Sequence, residues 1–140
     1  MTVPLKGLHG AFEYRGGVGV ALRMETDTLF AFGGYAGGRC GESYLDTCEC
    51  LDVGPGGEGR WRPLPRMSVQ RAGTNAAAGP DGRLYVLGGG PDGQREWKTM
   101  EALDPRICSW DPSLAPLHCG RHYNAAAFGP DGRLYVSGAF

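Results

Sequence analysis

Gly79-Pro80-Asp81-Gly82-Arg83-Leu84-Tyr85-Val86 stands again, letter for letter, at Gly129-Pro130-Asp131-Gly132-Arg133-Leu134-Tyr135-Val136, an offset of 50 residues. A degenerate third copy precedes both at Glu25-Thr26-Asp27-Thr28-Leu29-Phe30-Ala31-Phe32. Within the octapeptide, Pro presets φ, Asp bonds its own backbone and Gly accepts φ > 0, so Pro-Asp-Gly is a turn between two strands. Leu84-Tyr85-Val86-Leu87 then reads as a buried strand. It ends at Gly88-Gly89, where the backbone needs positive φ or a close approach.

Other landmarks recur with this segment. Arg15, Arg71 and Arg121 each precede its Leu by 13 or 14 residues. Gly33-Gly34 and Gly88-Gly89 follow it, with Gly138-Ala139 as a weaker version. Cys48-Glu49-Cys50-Leu51-Asp52 matches Met100-Glu101-Ala102-Leu103-Asp104, and Trp61 matches Trp110. The stretch from Arg71 to Ala78 holds Ala72, Gly73, Ala76, Ala77 and Ala78, small residues that suit a crowded innermost strand. Each repeat therefore carries four strands: the small-residue strand, the Leu-Tyr-Val strand, the Glu-x-Leu-Asp strand and one containing Trp. Self-similarity at a period near 50 signals a solenoid or a propeller, and four strands per repeat make a propeller blade. No segment sustains a 3.6-residue period, so the fold is expected to be all-β with essentially no helix.

The segments Arg71…Leu84-Tyr85-Val86-Leu87-Gly88-Gly89…Glu101-Ala102-Leu103-Asp104-Pro105…Trp110 resemble the kelch motif. So does Pro65-Arg66-Met67-Ser68-Val69-Gln70-Arg71, leading into an innermost strand. The resemblance runs from about Arg15 to the C-terminus. Two departures concern packing detail: Leu51 and Leu103 replace the Tyr common on the third strand, and the last di-glycine is Gly138-Ala139. The resemblance implies kelch-type β-propeller blades of four antiparallel strands, incomplete in this chain. The expected organisation is residues 15–70 as blade 1, 71–120 as blade 2 and 121–140 as the inner half of blade 3. Residues 1–14 would be the degraded end of a preceding blade or a tail, and Gly54–Gly59 a flexible insertion. A propeller closes with about four blades or more. Further blades from a longer parent chain, or from self-association, are therefore expected, the parent chain being favoured.

Composition narrows the function classes. With 14 Lys+Arg against 15 Asp+Glu, no basic stripe points to nucleic acid. No apolar run is long enough to cross a membrane, and Met1–Gly10 lacks a signal-peptide core. Five cysteines, an odd number, without such a leader favour reduced thiols and a cytoplasmic setting. Cys40, Cys48 and Cys50 match no usual zinc spacing and read as small buried hydrophobes. His9, His118 and His122 pair with no second ligand, so no metal or cofactor is expected, and no catalytic motif occurs.

The recurring Arg15, Arg71 and Arg121 read as structural, with Glu49/Asp52 and Glu101/Asp104 as candidate partners. Trp61 and Trp110 read as packing between blades. Residues that do not repeat carry more information. The resemblance places ligand contacts on loops after the di-glycine and on loops leading into the innermost strand. These positions are Tyr35, Arg39 and Glu42, then Gln94, Arg95, Glu96, Trp97 and Lys98, then His122 and Tyr123. Tyr35, Arg39, Arg95, Trp97, Lys98, His122 and Tyr123 form the candidate binding set, with Trp97 foremost as an exposed aromatic in a polar loop. The expected function is a protein- or peptide-binding scaffold, in one form the recognition part of a larger adaptor, and not an enzyme. Two alternatives stand beside it: a piece of a galactose-oxidase-like or sugar-epimerising enzyme, and a structural part of a larger assembly.

Overall fold

The computed structural model describes residues 15–36, 43–57, 59–92, 94–122 and 124–138. In chain order the strands are β1 (Arg15–Gly16), β2 (Gly19–Arg23), β3 (Thr28–Phe32), β4 (Tyr35–Ala36), β5 (Ser43–Tyr44), β6 (Cys48–Asp52), β7 (Trp61–Leu64), β8 (Ala72–Ala78), β9 (Leu84–Gly90), β10 (Met100–Asp104), β11 (Ser109–Asp111), β12 (Asn124–Phe128) and β13 (Leu134–Gly138). One 3-10 turn, Met24–Thr26, is the only helical element among the described residues.

The strands form two antiparallel four-stranded sheets, β2-β3-β6-β7 and β8-β9-β10-β11, and a two-stranded sheet β12-β13. Each four-stranded sheet runs in sequence order apart from the two short strands β4 and β5. Those pair with β1 in a small sheet of order β1-β4-β5. The small-residue strand is innermost in each repeat, and β8 lies beside both β2 and β12. All-β sheets stacked through their innermost strands, none of them closed, are the blades of an incomplete propeller.

The pairing registers align the repeats. Leu29 faces Leu51 across its ladder as Leu84 faces Leu103, and Trp61 faces Leu51 as Trp110 faces Leu103. This moves the degenerate octapeptide by one position. Leu29 and Phe30 stand where Leu84 and Tyr85 stand, and Asp27 (φ 48°) takes the left-handed place of Gly82 (φ 84°). Asp is among the few residues that tolerate this conformation.

Alternation along the strands sends one face of each blade to its predecessor and the other to its successor. Ala21, Phe30, Phe32, Cys48 and Cys50 of the first blade meet Ala76, Leu84, Val86 and Leu103 of the second, with Met67 closing the cluster. The Trp110 ring stands edge-on to Phe32 at 5.8 Å, and its Nε1–H donates to Pro65 O at 2.8 Å. Each large side chain buried in this way contributes roughly 1.5–3 kcal/mol. Trp61, also buried, packs with Ala31 and Leu51. Trp61 is thus a core residue of its own blade, and Trp110 is half-buried against the core between the two blades.

Cys48 and Cys50 are buried, as small hydrophobes should be, Cys48 Sγ–H donates to Pro65 O at 3.4 Å, and burial pushes the Cys50 thiol above its ordinary pKa. Cys108 and Cys119 are exposed. Cys108 takes a left-handed turn position (φ 49°) after β10, outside any core. Cys40, His9 and residues 1–14 lie outside the described residues.

Candidate functional site

The recurring arginine proves to have two separate tasks. Its side chain ties together its own blade. The Arg71 guanidinium, 1% exposed, donates to Gly88 O at 2.8 Å, Thr99 O at 2.9 Å, Thr99 Oγ1 at 2.9 Å and Glu101 Oε2 at 3.1 Å. Glu101, equally buried, also accepts from Ser68 N–H and Ser68 Oγ–H. Burial pulls the Arg71 pKa down, while Glu101 pulls it up. Such a pair persists because every buried donor and acceptor is matched. Arg121 repeats part of the pattern, donating to Gly138 O at 3.0 Å.

The arginine's own backbone serves the preceding blade. Gly34 N–H donates to Arg71 O at 2.8 Å, and Gly89 N–H donates to Arg121 O at 2.7 Å. The di-glycine is needed for that approach. Gly33 and Gly34 have φ of 62° and 106°, and a Cβ on Gly33 would lie 2.2 Å from Arg71 O. Di-glycine and arginine are therefore two ends of one connection between neighbouring blades.

This connection brings the candidate residues to one rim. Tyr35 follows Gly34 directly on β4, and its ring lies 5.1 Å from that of Tyr44 on β5. Leu45 N–H bonds Gly34 O, and Arg71 N–H bonds Leu45 O, so the Tyr35–Tyr44 strand pair sits against the segment that leads into β8. Trp97 reaches the same segment from the next loop: its Nε1–H donates to Gln70 O at 2.7 Å, and its N–H donates to Gly89 O at 2.7 Å. The ring is half-buried rather than fully exposed, because the indole closes over the backbone that leads into β8.

The loop that carries Trp97 is shaped by its own polar groups. Asp92 accepts from the backbone N–H of Gln94 and of Arg95 and from Arg95 Nε at 2.7 Å, which holds its carboxyl below the ordinary range. Arg95 is thereby directed to its own loop. Glu96 reaches the lead-in to β12, where Oε1 lies 3.3 Å from His122 Nδ1. His122 is mostly buried, and a Cβ on Gly90 would lie 2.5 Å from its Nε2. Lys98 is exposed. The structure thus gathers Tyr35, Trp97, Lys98, Glu96 and His122 around the segments leading into β8 and β12. Arg39, Glu42 and Tyr123 lie outside the described residues. Tyr44 was not anticipated. Its signal was weak, since a two-residue strand has no periodicity to read.

On the turn side, Asp81 organises the octapeptide. It accepts from Arg83 N–H at 3.1 Å, from Arg83 Nε at 2.8 Å and from Tyr85 OH at 2.6 Å. Burial pushes the Asp81 carboxyl up, but the bonds from Tyr85 and Arg83 together outweigh it and bring the pKa to about 2. Gly79 leaves room for the Tyr85 ring, since a Cβ there would lie 2.6 Å from Tyr85 Cε2. A cleft of about 410 Å³ opens on the first blade between Thr26–Thr28, Asp52 and Gly54–Gly57. Among the described residues no group of three or more His, Cys, Asp or Glu side chains stands close enough to hold a metal.

Comparison with known proteins accords with this geometry. The kelch motif matches residues 26–68. No curated protein matches the sequence. Among solved structures, a fungal alcohol oxidase of the AA5 family, in complex with copper, superposes with a TM-score of 0.70 at 20% identity. The match covers 87% of this chain and 27% of that one, so the chain spans about a quarter of the oxidase's length. At that identity the likeness concerns the fold alone. The repeated four-stranded sheets and the shared fold together make this chain a stretch of β-propeller that carries a kelch motif at residues 26–68.

Proposed function

We propose that this chain is a protein-interaction module that takes a peptide or a partner's loop on the rim formed by Tyr35, Tyr44, Trp97, Lys98 and His122. The observation that supports it most is the anchoring of Trp97. A loop aromatic fixed by Gln70 O and Gly89 O presents apolar area without loss of rotamer freedom. Lys98 beside it supplies an exposed charge, which favours a ligand segment with acidic character. Membrane contact is not part of this reading, and no helix among the described residues is long and apolar enough to cross a bilayer.

Peptides selected from a random library on the immobilised chain provide the test. Lys98→Glu should weaken the selected peptides about tenfold while leaving thermal unfolding unchanged, and Trp97→Ala should abolish their binding. Selected peptides that ignore both substitutions would place the binding surface elsewhere.

A further inference from the structure

We propose that the Glu96–His122 contact is a latch on the Trp97 loop, one that closes more firmly as pH falls through the range where imidazoles gain a proton. Backbone bonds align the rims of the first two blades residue by residue. Gly34 N–H and Gly89 N–H donate to Arg71 O and Arg121 O. Leu45 N–H and Trp97 N–H donate to Gly34 O and Gly89 O, and Met67 N–H and Leu117 N–H donate to Asp46 O and Lys98 O. Leu45 therefore corresponds to Trp97, Tyr44 to Glu96, Tyr35 to Gly90 and Ala72 to His122. In the first blade Tyr35 packs its own ring against Tyr44 at 5.1 Å. In the second blade Gly90 has no side chain to put there, and the imidazole of the following repeat takes the place. A Cβ on Gly90 would lie 2.5 Å from His122 Nε2, and His122 Nδ1 lies 3.3 Å from Glu96 Oε1. Two phenol rings in one blade are thus replaced by an imidazole and a carboxylate in the next.

The pair joins two segments that must part if the loop opens. A Cβ on Gly120 would lie 2.7 Å from Glu96 Cβ, so the loop rests directly on the lead-in to β12. Other charged groups around the imidazole have partners or face water. On the loop, the Arg95 guanidinium is bonded to Asp92, and Lys98 is exposed. On the lead-in, His118 is exposed, and the Arg121 guanidinium donates to Gly138 O. Before β8, the Arg71 guanidinium is held by Glu101. A protonated His122 faces a carboxylate where little water screens the two, and that attraction exists only in the closed loop. A neutral imidazole gains a hydrogen bond at most. Carboxylates titrate below the imidazole range, so the histidine is the group that switches. Closure is therefore strengthened at low pH and loses this contribution as pH rises through roughly 6 to 7. The latch stands on these contacts. Its use in regulating capture of a partner rests on the reading of the rim as a peptide site, where a firmer loop fixes Trp97 for the incoming segment.

Amide exchange on the full chain tests the latch with no ligand present. Trp97 N–H and Leu45 N–H make the same bond in the two blades, so the ratio of their protection factors isolates the ionisable pair. From pH 8 to pH 5 the ratio of Trp97 to Leu45 protection should rise roughly fivefold in the wild type, the upper end for a partly exposed ion pair. In His122→Gln and in Glu96→Gln it should stay constant. If His122→Gln loses the protection of Leu45, and with it the fold, Glu96→Gln decides alone. A wild-type ratio that is flat, a ratio that falls as pH falls, or a rise that survives Glu96→Gln would each overturn the proposal. No peptide takes part, so a rim that binds none leaves this result standing, and a latch that fails leaves the peptide selection on the rim untouched.

Discussion

The second blade and the β12-β13 pair share an identical octapeptide, yet only one of them is a finished environment. The local part is the same in both: Tyr85 OH bonds Asp81 at 2.6 Å and Tyr135 OH bonds Asp131 at 2.8 Å. Gly129 meets the Tyr135 ring as Gly79 meets Tyr85. What differs is everything supplied by other strands. Leu84 and Val86 are fully buried, whereas Leu134 and Val136 are half-buried. Arg71 meets four acceptors on β9, β10 and the loop between them. Arg121 meets Gly138 O alone among the described residues. The turn is written in eight residues; the burial is written in the neighbours.

The largest expected contrast concerns the arginines. Glu101→Ala strands a buried guanidinium and should cost about 3–5 kcal/mol in denaturant unfolding, enough to unfold a marginal domain. Arg121→Ala removes an exposed bond and should cost about 1 kcal/mol or less. Equal losses would mean that the third arginine is as deeply embedded as the second. Next come the paired leucines. Leu84→Ala should cost about 2–5 kcal/mol, and Leu134→Ala clearly less, since part of its surface already meets water. Gly79→Ala forces the Tyr85 ring aside and should cost about 1–3 kcal/mol. Gly129→Ala should cost less, because the exposed Tyr135 has room to swing away.

The smallest effect is titration. The Asp81 pKa in the folded chain, about 2, lies below the ordinary 3.8. Its ionised form is therefore favoured by folding. That contribution is complete above about pH 4 and disappears as pH falls through about 2. Asp81→Asn should flatten this part of the acid unfolding curve. Asp131, held down by the Arg133 N–H and the Tyr135 hydroxyl, is fully exposed, and Asp131→Asn should change the curve less.

Much of this architecture was legible because the repeats are read by comparison rather than by propensity. The 50-residue offset located the strands, and recurrence named Glu101 and Asp104 as candidate partners of Arg71, of which Glu101 is the one it meets while Asp104 pairs with Arg106. The degenerate copy misled by one position, since Asp27 fills a left-handed site that the other copies mark with Gly82 or Gly132. The candidate rim was named from loop positions, and the residues there were listed without their anchors. Those anchors are carbonyls, Gln70 O and Gly89 O, which exist whatever side chain the residue bears. No pattern of side chains could have announced that Trp97 would lie half-buried over the segment leading into β8.

The bond from Gly34 N–H to Arg71 O makes one blade's amide a witness to the next blade's integrity. Freeing that amide to exchange with solvent requires the strand lead-in of the following blade to detach. Hydrogen exchange at Gly34 and Gly89 therefore reports on events one repeat downstream of each glycine. In a chain of nearest-neighbour couplings, such amides read the coupling term separately from the stability of either unit.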